Sequence, residues 1–161
     1  MDSKQVVETV STGRIAPLDD TDRRMVDALR ADGRLSMRAL AERMHISRAN
    51  AYARVERLHR DGVITGYTAI VNPERFGYGL AAYVYLKISQ HSWKVVQQRL
   101  LTMTEVEHAA LVSGENDLVL LVRTRDLASL RDLVLTELQN LPDVLATQTV
   151  LIFDELPSGN D

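Results

Sequence analysis

Between Arg34 and Arg60 seven arginines stand against only two acids, Glu42 and Glu56. Guanidinium groups at this density suit a polyanion, because each is a planar fork of donors that matches phosphate oxygens or a guanine edge. Ser47, Asn50 and Tyr52 are interleaved with them and add groups able to meet a phosphate or a base edge. The same charge on a solvated helical face would carry no such meaning, so the spacing has to decide.

The spacing predicts three short helices. Asp19 is a plausible N-cap, Asp20 and Asp22 suit the first turn, and Leu18, Met25, Val26 and Leu29 form an apolar stripe that Gly33 ends. A second helix starts at Ser36, with Leu35 and Leu40 spaced as a hydrophobic staple and Leu40, Ala41 and Met44 facing inward. A third is capped by Ser47, with Ile46 and Ala51 as its staple, Ala51, Val55 and Leu58 as its stripe and Gly62 as its stop. The connection His45–Ile46 is too tight for a long antiparallel hairpin. Small Ala41 and Ala51 let the second and third helices cross closely, which is a helix-turn-helix over about residues 36–60.

At about 100° per residue, with Ala51 inward, the outward arc of the third helix holds Ala49, Ala53, Glu56, Arg57 and Arg60. Asn50 and Tyr52 sit on its shoulders, and Arg48 and Arg54 lie near the edges of the apolar face. Small side chains at 49 and 53 would let this helix enter a DNA major groove, where Asn and Arg can pair with adenine and guanine edges. Ser47 and the free N–H groups beside it suit a phosphate, Arg38 joins from the second helix, and Arg54, Arg57 and Arg60 are expected to clamp phosphates. Val63–Ile64 and Tyr67–Val71 read as extended, either a small wing or a strand leaving the domain. Asn72–Pro73, Gly77 and Gly79 mark a boundary.

The net charge of −3 divides along the chain. Residues 18–66 carry ten arginines against eight acids, whereas residues 80–161 carry six basic and eleven acidic groups. Positive charge is thus local, as one nucleic-acid face beside an unrelated domain requires. Leu80–Ser89 alternates, with Ala82, Val84, Leu86 and Ile88 on one face and Tyr83, Tyr85 and Lys87 on the other. Ser92–Met103 reads as a helix with Trp93, Val96, Leu100 and Met103 inward. Val106–Val112 and Leu118–Thr124 read as strands around the turn at 113–117. Leu127–Leu141 reads as a helix buried through Leu127, Leu130, Val134, Leu138 and Leu141, and Val144–Phe153 as a last strand. The order β-α-β-β-α-β is that of a ferredoxin-like split βαβ unit, making the chain α+β. One sheet face is left apolar by this arrangement, so a homodimer through this domain is expected.

Other chemistry finds little footing. The chain has no cysteine, so neither disulfides nor thiolate metal sites arise, which is compatible with a reducing cytosol. No apolar run reaches the roughly 18–20 residues that cross a bilayer, and residues 1–17 lack a signal-peptide core and read as a flexible tail, with 156–161 as a tail at the other end. His45, His59, His91 and His108 show no metal spacing, Ser113 sits in no G-x-S-x-G elbow, and no glycine-rich phosphate loop occurs. Neither catalysis nor a cofactor is expected.

The segments Leu18–Asp22, Asp32–Ser36, Leu40–Met44, Ile46–Ser47, Arg54–Leu58, Gly62–Tyr67 and Asn72–Pro73 together resemble the Lrp/AsnC (feast/famine) transcription regulators. Leu111–Gly114 with Asp117, followed by an apolar strand, is similar to that family's second signature, and the resemblance covers about residues 18–155. It implies a prokaryotic, cytoplasmic, nucleoid-associated regulator of double-stranded DNA, dimeric and often octameric, that senses an amino acid between neighbouring effector domains. The domains would be 18–66 for DNA and 80–155 for effector and dimerisation, with 67–79 as linker. The effector residues implied are Ser113, Gly114, Glu115, Asn116 and Asp117 in the turn, and Gln148, Thr149 and Val150 on the last strand. Asp117 would suit an ammonium group and the N–H groups near Gly114 a carboxylate, although a hairpin turn alone would use the same residues. Two positions depart from the family: His45 stands where glycine is usual, which suits the turn if its φ is unstrained, and Leu118 where an aromatic often follows the acid. A protein that organises DNA, with a second domain that only oligomerises, is the alternative.

Overall fold

The computed structural model describes residues 17–89 and 93–155. The expected tails, apart from Pro17, lie outside the described residues, as do His91 and the helix start expected at Ser92. The chain divides into two compact units at Ala69 and Ile70.

The first unit holds α1 (Asp20–Ala31), α2 (Met37–Met44) and α3 (Arg48–Arg60). Each starts on the residue whose side chain can satisfy the free N–H groups of a first turn. Asp19 and Asp22 form a reciprocal capping box on α1, Ser36 Oγ accepts from the Ala39 N–H at 3.1 Å, and Ser47 Oγ accepts from the Asn50 N–H at 3.3 Å. Met25, Ala28, Leu29, Leu40, Ala41, Met44 and Ala51 form the core, with Leu35, Ile46, Val55 and Ile64 packed around it.

His45 does not avoid the left-handed region: it closes α2 with φ 57° and ψ 44°. Its N–H donates to the carbonyls of Ala41 and Glu42, and the left-handed turn at His45 brings the Ile46 N–H back to the Ala41 carbonyl at 3.0 Å. Histidine tolerates this geometry better than a β-branched residue does. Beyond α3, Gly62 takes φ 70°, and the N–H groups of Val63 and Ile64 both reach the Leu58 carbonyl. Neither Val63–Ile64 nor Tyr67–Val71 pairs in a strand ladder among the described residues. Tyr67 instead packs on the His59 ring edge-on, with 5.5 Å between centroids. Asn72–Pro73 opens a one-turn helix, α4 (Pro73–Phe76), inside the stretch expected to be linker, because Asn72 caps the Arg75 N–H and proline fits the first helical position.

The second unit runs β1 (Leu80–Ile88), α5 (Trp93–Leu100), β2 (Val106–Leu111), β3 (Leu118–Thr124), α6 (Leu127–Asp132) and β4 (Val144–Ile152). All neighbours are antiparallel in the order β2-β3-β1-β4, the split βαβ arrangement. Strand alternation places Ala82, Val84, Leu86, Leu118, Leu120 and Val122 under Val96, Leu100, Leu130, Leu133, Val134 and Leu138. The helix expected to run unbroken over 127–141 widens into a π-helical turn over Leu133–Leu138. That turn brings Leu133 into the core beside Val134, whereas Leu127, in the first turn of α6, stays 62% exposed. Trp93 is likewise more exposed than expected, and Met103 reaches the core from beyond the end of α5.

Asp117 ties the β2–β3 turn to the end of β1. Its carboxylate accepts from the Ile88 N–H at 2.9 Å, beyond the last β1–β3 pair, and from Lys87 Nζ at 3.4 Å. The backbone hydrogen bond and then the Lys87 cation hold its carboxyl below the ordinary 3.8. A carboxyl lowered on folding stabilises above the unfolded value, about pH 4, and loses that contribution as pH falls through its folded value. Asp117→Asn is therefore expected to lower the thermal midpoint at pH 7, with the gap to wild type closing towards pH 3. An equal gap at both pH values in calorimetry contradicts this. At the α2 turn, His45→Val is expected to cost about 1–2 kcal/mol in urea unfolding while His45→Gly costs nothing or stabilises; equal stability of the two variants would rule out a left-handed turn.

Candidate nucleic-acid interface and effector site

The arginines of α3 divide into two sets. Arg48 and Arg60 are exposed, as are Ser47, Ala49, Asn50, Tyr52 and Ala53, so the first two turns present small and polar groups to solvent. Arg38 on α2 is also exposed, and its pair with Glu42 at 2.9 Å has both side chains about two-thirds exposed. Such a pair holds its cation weakly and leaves it available to a phosphate.

Arg54 and Arg57 are placed differently: both were expected to clamp phosphates, Arg57 from the outward arc and Arg54 from the edge of the apolar face, and acids at the start of the first helix engage both. Arg54 Nη1 donates to Asp22 Oδ1 at 2.7 Å and to Asp19 Oδ2 at 2.6 Å, and Arg57 Nη2 donates to Asp22 Oδ2 at 2.5 Å. The Asp22 side chain is 1% exposed. A carboxylate so deeply buried requires partners of opposite charge, and α3 supplies both. The Asp19 carboxyl is held below its ordinary value, chiefly by its hydrogen bond from Arg54. Arg54 Nε also donates to Asn50 Oδ1 at 3.0 Å, so one lone pair of the Asn50 carbonyl is already engaged within α3.

Asp22, expected from the sequence only to favour the helix dipole, is the buried acid on which Arg54 and Arg57 converge. The signal was present. Asp22, Met25 and Leu29 fall on one helical face, and an acid within an apolar stripe calls for a cationic partner.

In the second unit the turn Ser113–Asp117 is open. Ser113, Gly114 and Glu115 are exposed, and Asn116 and Asp117 are half-buried. Gly114 takes φ 131°, and a Cβ there would meet nothing within 4 Å, so backbone conformation rather than crowding favours glycine. Gln148, Thr149 and Val150 were expected to border one site together, but strand alternation separates them. Gln148 lies opposite Tyr85 and Val150 opposite Tyr83 on the open sheet face, whereas Thr149 lies opposite Val84 on the helix side. The open face also carries Val119 and Leu121, paired with Tyr85 and Tyr83, and Tyr83 and Val150 are 41% and 44% exposed.

Among the described residues no group of three His, Asp or Glu side chains converges as a metal site would, and no helix is long and apolar enough to cross a membrane.

Comparison with known proteins agrees with both units. Residues 18–65 match the family model described as winged helix-turn-helix DNA-binding, and residues 81–160 match that of the Lrp/AsnC ligand binding domain. The leucine-responsive regulatory protein of Escherichia coli is 33% identical over 89% of this chain and 89% of its own. The leucine response regulatory protein of Mycobacterium tuberculosis is 36% identical with a TM-score of 0.78, covering 88% of this chain and 96% of that one. A transcriptional regulator of Neisseria meningitidis, solved as a complex with L-methionine, is 25% identical with a TM-score of 0.83, covering 88% and 94%. With a helix-turn-helix unit and a ligand-binding unit in this order, the chain belongs to the Lrp/AsnC family of DNA-binding transcriptional regulators.

Proposed function

We propose that the chain reads double-stranded DNA through the first two turns of α3 and adjusts that binding to an amino acid or a related small molecule. The observation that carries the reading is the exposed surface of Ala49, Asn50, Tyr52 and Ala53, bordered by Arg48 and Arg60. The two alanines allow close entry into a major groove, and the Asn50 amide keeps its Nδ2 donors and one carbonyl lone pair for a base edge. Arg38, Arg48, Arg60 and the helix start at Ser47 hold phosphates. Arg54 and Arg57 leave the phosphate set, because acidic side chains of α1 already engage them.

The DNA-binding domain is 18–66 and the effector and dimerisation domain 80–155. The effector binds at the Ser113–Asp117 turn, in company with Gln148 and Val150. Asp117 meets its ammonium group while keeping the Ile88 N–H, and the N–H groups beside Gly114 meet its carboxylate. A complex with L-methionine in the Neisseria relative supports an amino acid as the ligand class. The chain acts as a homodimer through the open sheet face, because Tyr83, Tyr85, Val119, Leu121 and Val150 form an apolar surface suited to a second copy. It works in the prokaryotic cytoplasm at the nucleoid, without cofactor or catalysis.

A second reading, a DNA organiser without an effector, draws on the employment of Asp117 in the fold itself. Titrating the twenty amino acids against melting temperature and affinity for a duplex selected from a random library separates the two. A regulator must bind at least one of them with different affinity in its free and DNA-bound states; no response to any favours the organiser. Asn50→Ala is expected to cost about 1–3 kcal/mol on the selected duplex and much less on random DNA, and equal losses would remove it from base reading. Tyr83→Asp is expected to shift sedimentation from dimer, or a higher multiple such as an octamer, towards monomer; unchanged sedimentation would place the interface elsewhere.

A further inference from the structure

We propose that Asp22 is a positioning residue for DNA reading: its buried carboxylate holds Arg54 and Arg57 against α1, and Arg54 in turn fixes the carboxamide of Asn50. This rests on the reading of bases through Asn50.

Both carboxylate oxygens of Asp22 are engaged. Asp22 Oδ1 accepts from Arg54, while Oδ2 accepts from Arg57 and, at 3.1 Å, from the Asp19 N–H. Asp19 adds a second carboxylate on Arg54 Nη1, so that guanidinium is gripped on one edge by α1. Its Nε, on another edge, donates to Asn50 Oδ1 one helical turn earlier. A guanidinium is planar and rigid, so anchoring its Nη1 to two carboxylates restrains the direction of its Nε–H, and with it the position of the Asn50 carbonyl oxygen. Arg57 stands three residues further along α3, and its pair to the same carboxylate prevents rotation of the helix about its axis on α1. Two cations on one helix thus converge on one acid of another. Their charge is spent inside the protein, so they add little to the neutralisation of phosphates.

Positioning and phosphate contact leave different signatures. A phosphate contact contributes about 0.9 to the slope of log K against log salt on every duplex, whereas a positioning residue changes the preference for one sequence over another. The experiment uses the full chain, a duplex selected by the wild type from a random library, and a random duplex of equal length. Asp22→Asn and Arg54→Gln are each measured alone and in an Asn50→Ala background.

Each single variant is expected to lower the ratio of selected to random affinity by about tenfold, the scale of one lost base contact. The salt slope on random DNA is expected not to fall. In the Asn50→Ala background neither change should lower the ratio further, because the amide they position is gone. A drop of about 0.9 in slope with an unchanged ratio for Arg54→Gln overturns the proposal, as does full additivity with Asn50→Ala. Should circular dichroism show that Asp22→Asn does not fold, Arg54→Gln, whose side chain is 23% exposed, carries both readouts by itself. A wild type that binds selected and random DNA alike overturns base reading, and the positioning role with it. Loss of the ratio in the variants alone leaves base reading intact and supports the relay.

Discussion

A recognition helix that leaves its own domain to enter a groove has little surface left to bury, and α3 meets this constraint with charge as well as packing. Ala51 and Leu58 are its fully buried apolar residues, and Val55 is only partly covered. Two alanines on the outward side keep it slender for the groove but add nothing to its seat. The ion pairs from Arg54 and Arg57 to buried Asp22 supply a second set of contacts on the back of the helix. Unlike dispersion contacts, they have direction, and so they fix the rotation of α3 about its axis. Base reading depends on that angle, since 100° separates adjacent residues on a helix.

The effector half is governed by strand alternation. One face of the sheet packs on α5, α6 and the π-helical turn, and the other keeps Tyr83, Tyr85 and their cross-strand partners. The same alternation sends Gln148 and Val150 to the open face and Thr149 to the helix side, so a ligand touching the open face meets two of these three. Asp117 serves the sheet by ending β1 and stays ionised in doing so. An ionised, half-exposed carboxylate at an open turn is also a fitting partner for an ammonium ion. Structural and sensing roles are thus compatible in one residue, and that overlap is what a coupling between ligand and fold requires.

Much of this was legible in the residue order. Cap residues at Asp19, Ser36 and Ser47, a short turn and a period of 3.6 located the three helices, and a period of 2 located the strands. Long-range pairing was harder to see. Nothing local to Asp22 says that its partners lie more than thirty residues away on α3, and so Arg54 and Arg57 read as free cations. The π-helical turn at Leu133 also escaped, because a run of leucines and valines satisfies several helical registers at once. His45 shows the limit of residue type as a guide to φ. Histidine does not announce a left-handed conformation, yet the closing hydrogen bonds of α2 impose one. Tyr67–Val71 has strand-like composition but finds no partner strand among the described residues.

The central claim, that bases are read by the exposed first turns of α3, is tested most directly by cross-linking. A photoreactive side chain at Ala49 or Ala53, in the full chain bound to its selected duplex, should form adducts on bases in the major groove. The same group at Leu127 in the effector unit should form none. Adducts confined to sugars and phosphates, or equal yields from all three positions, would contradict the assignment of α3 as the reading helix.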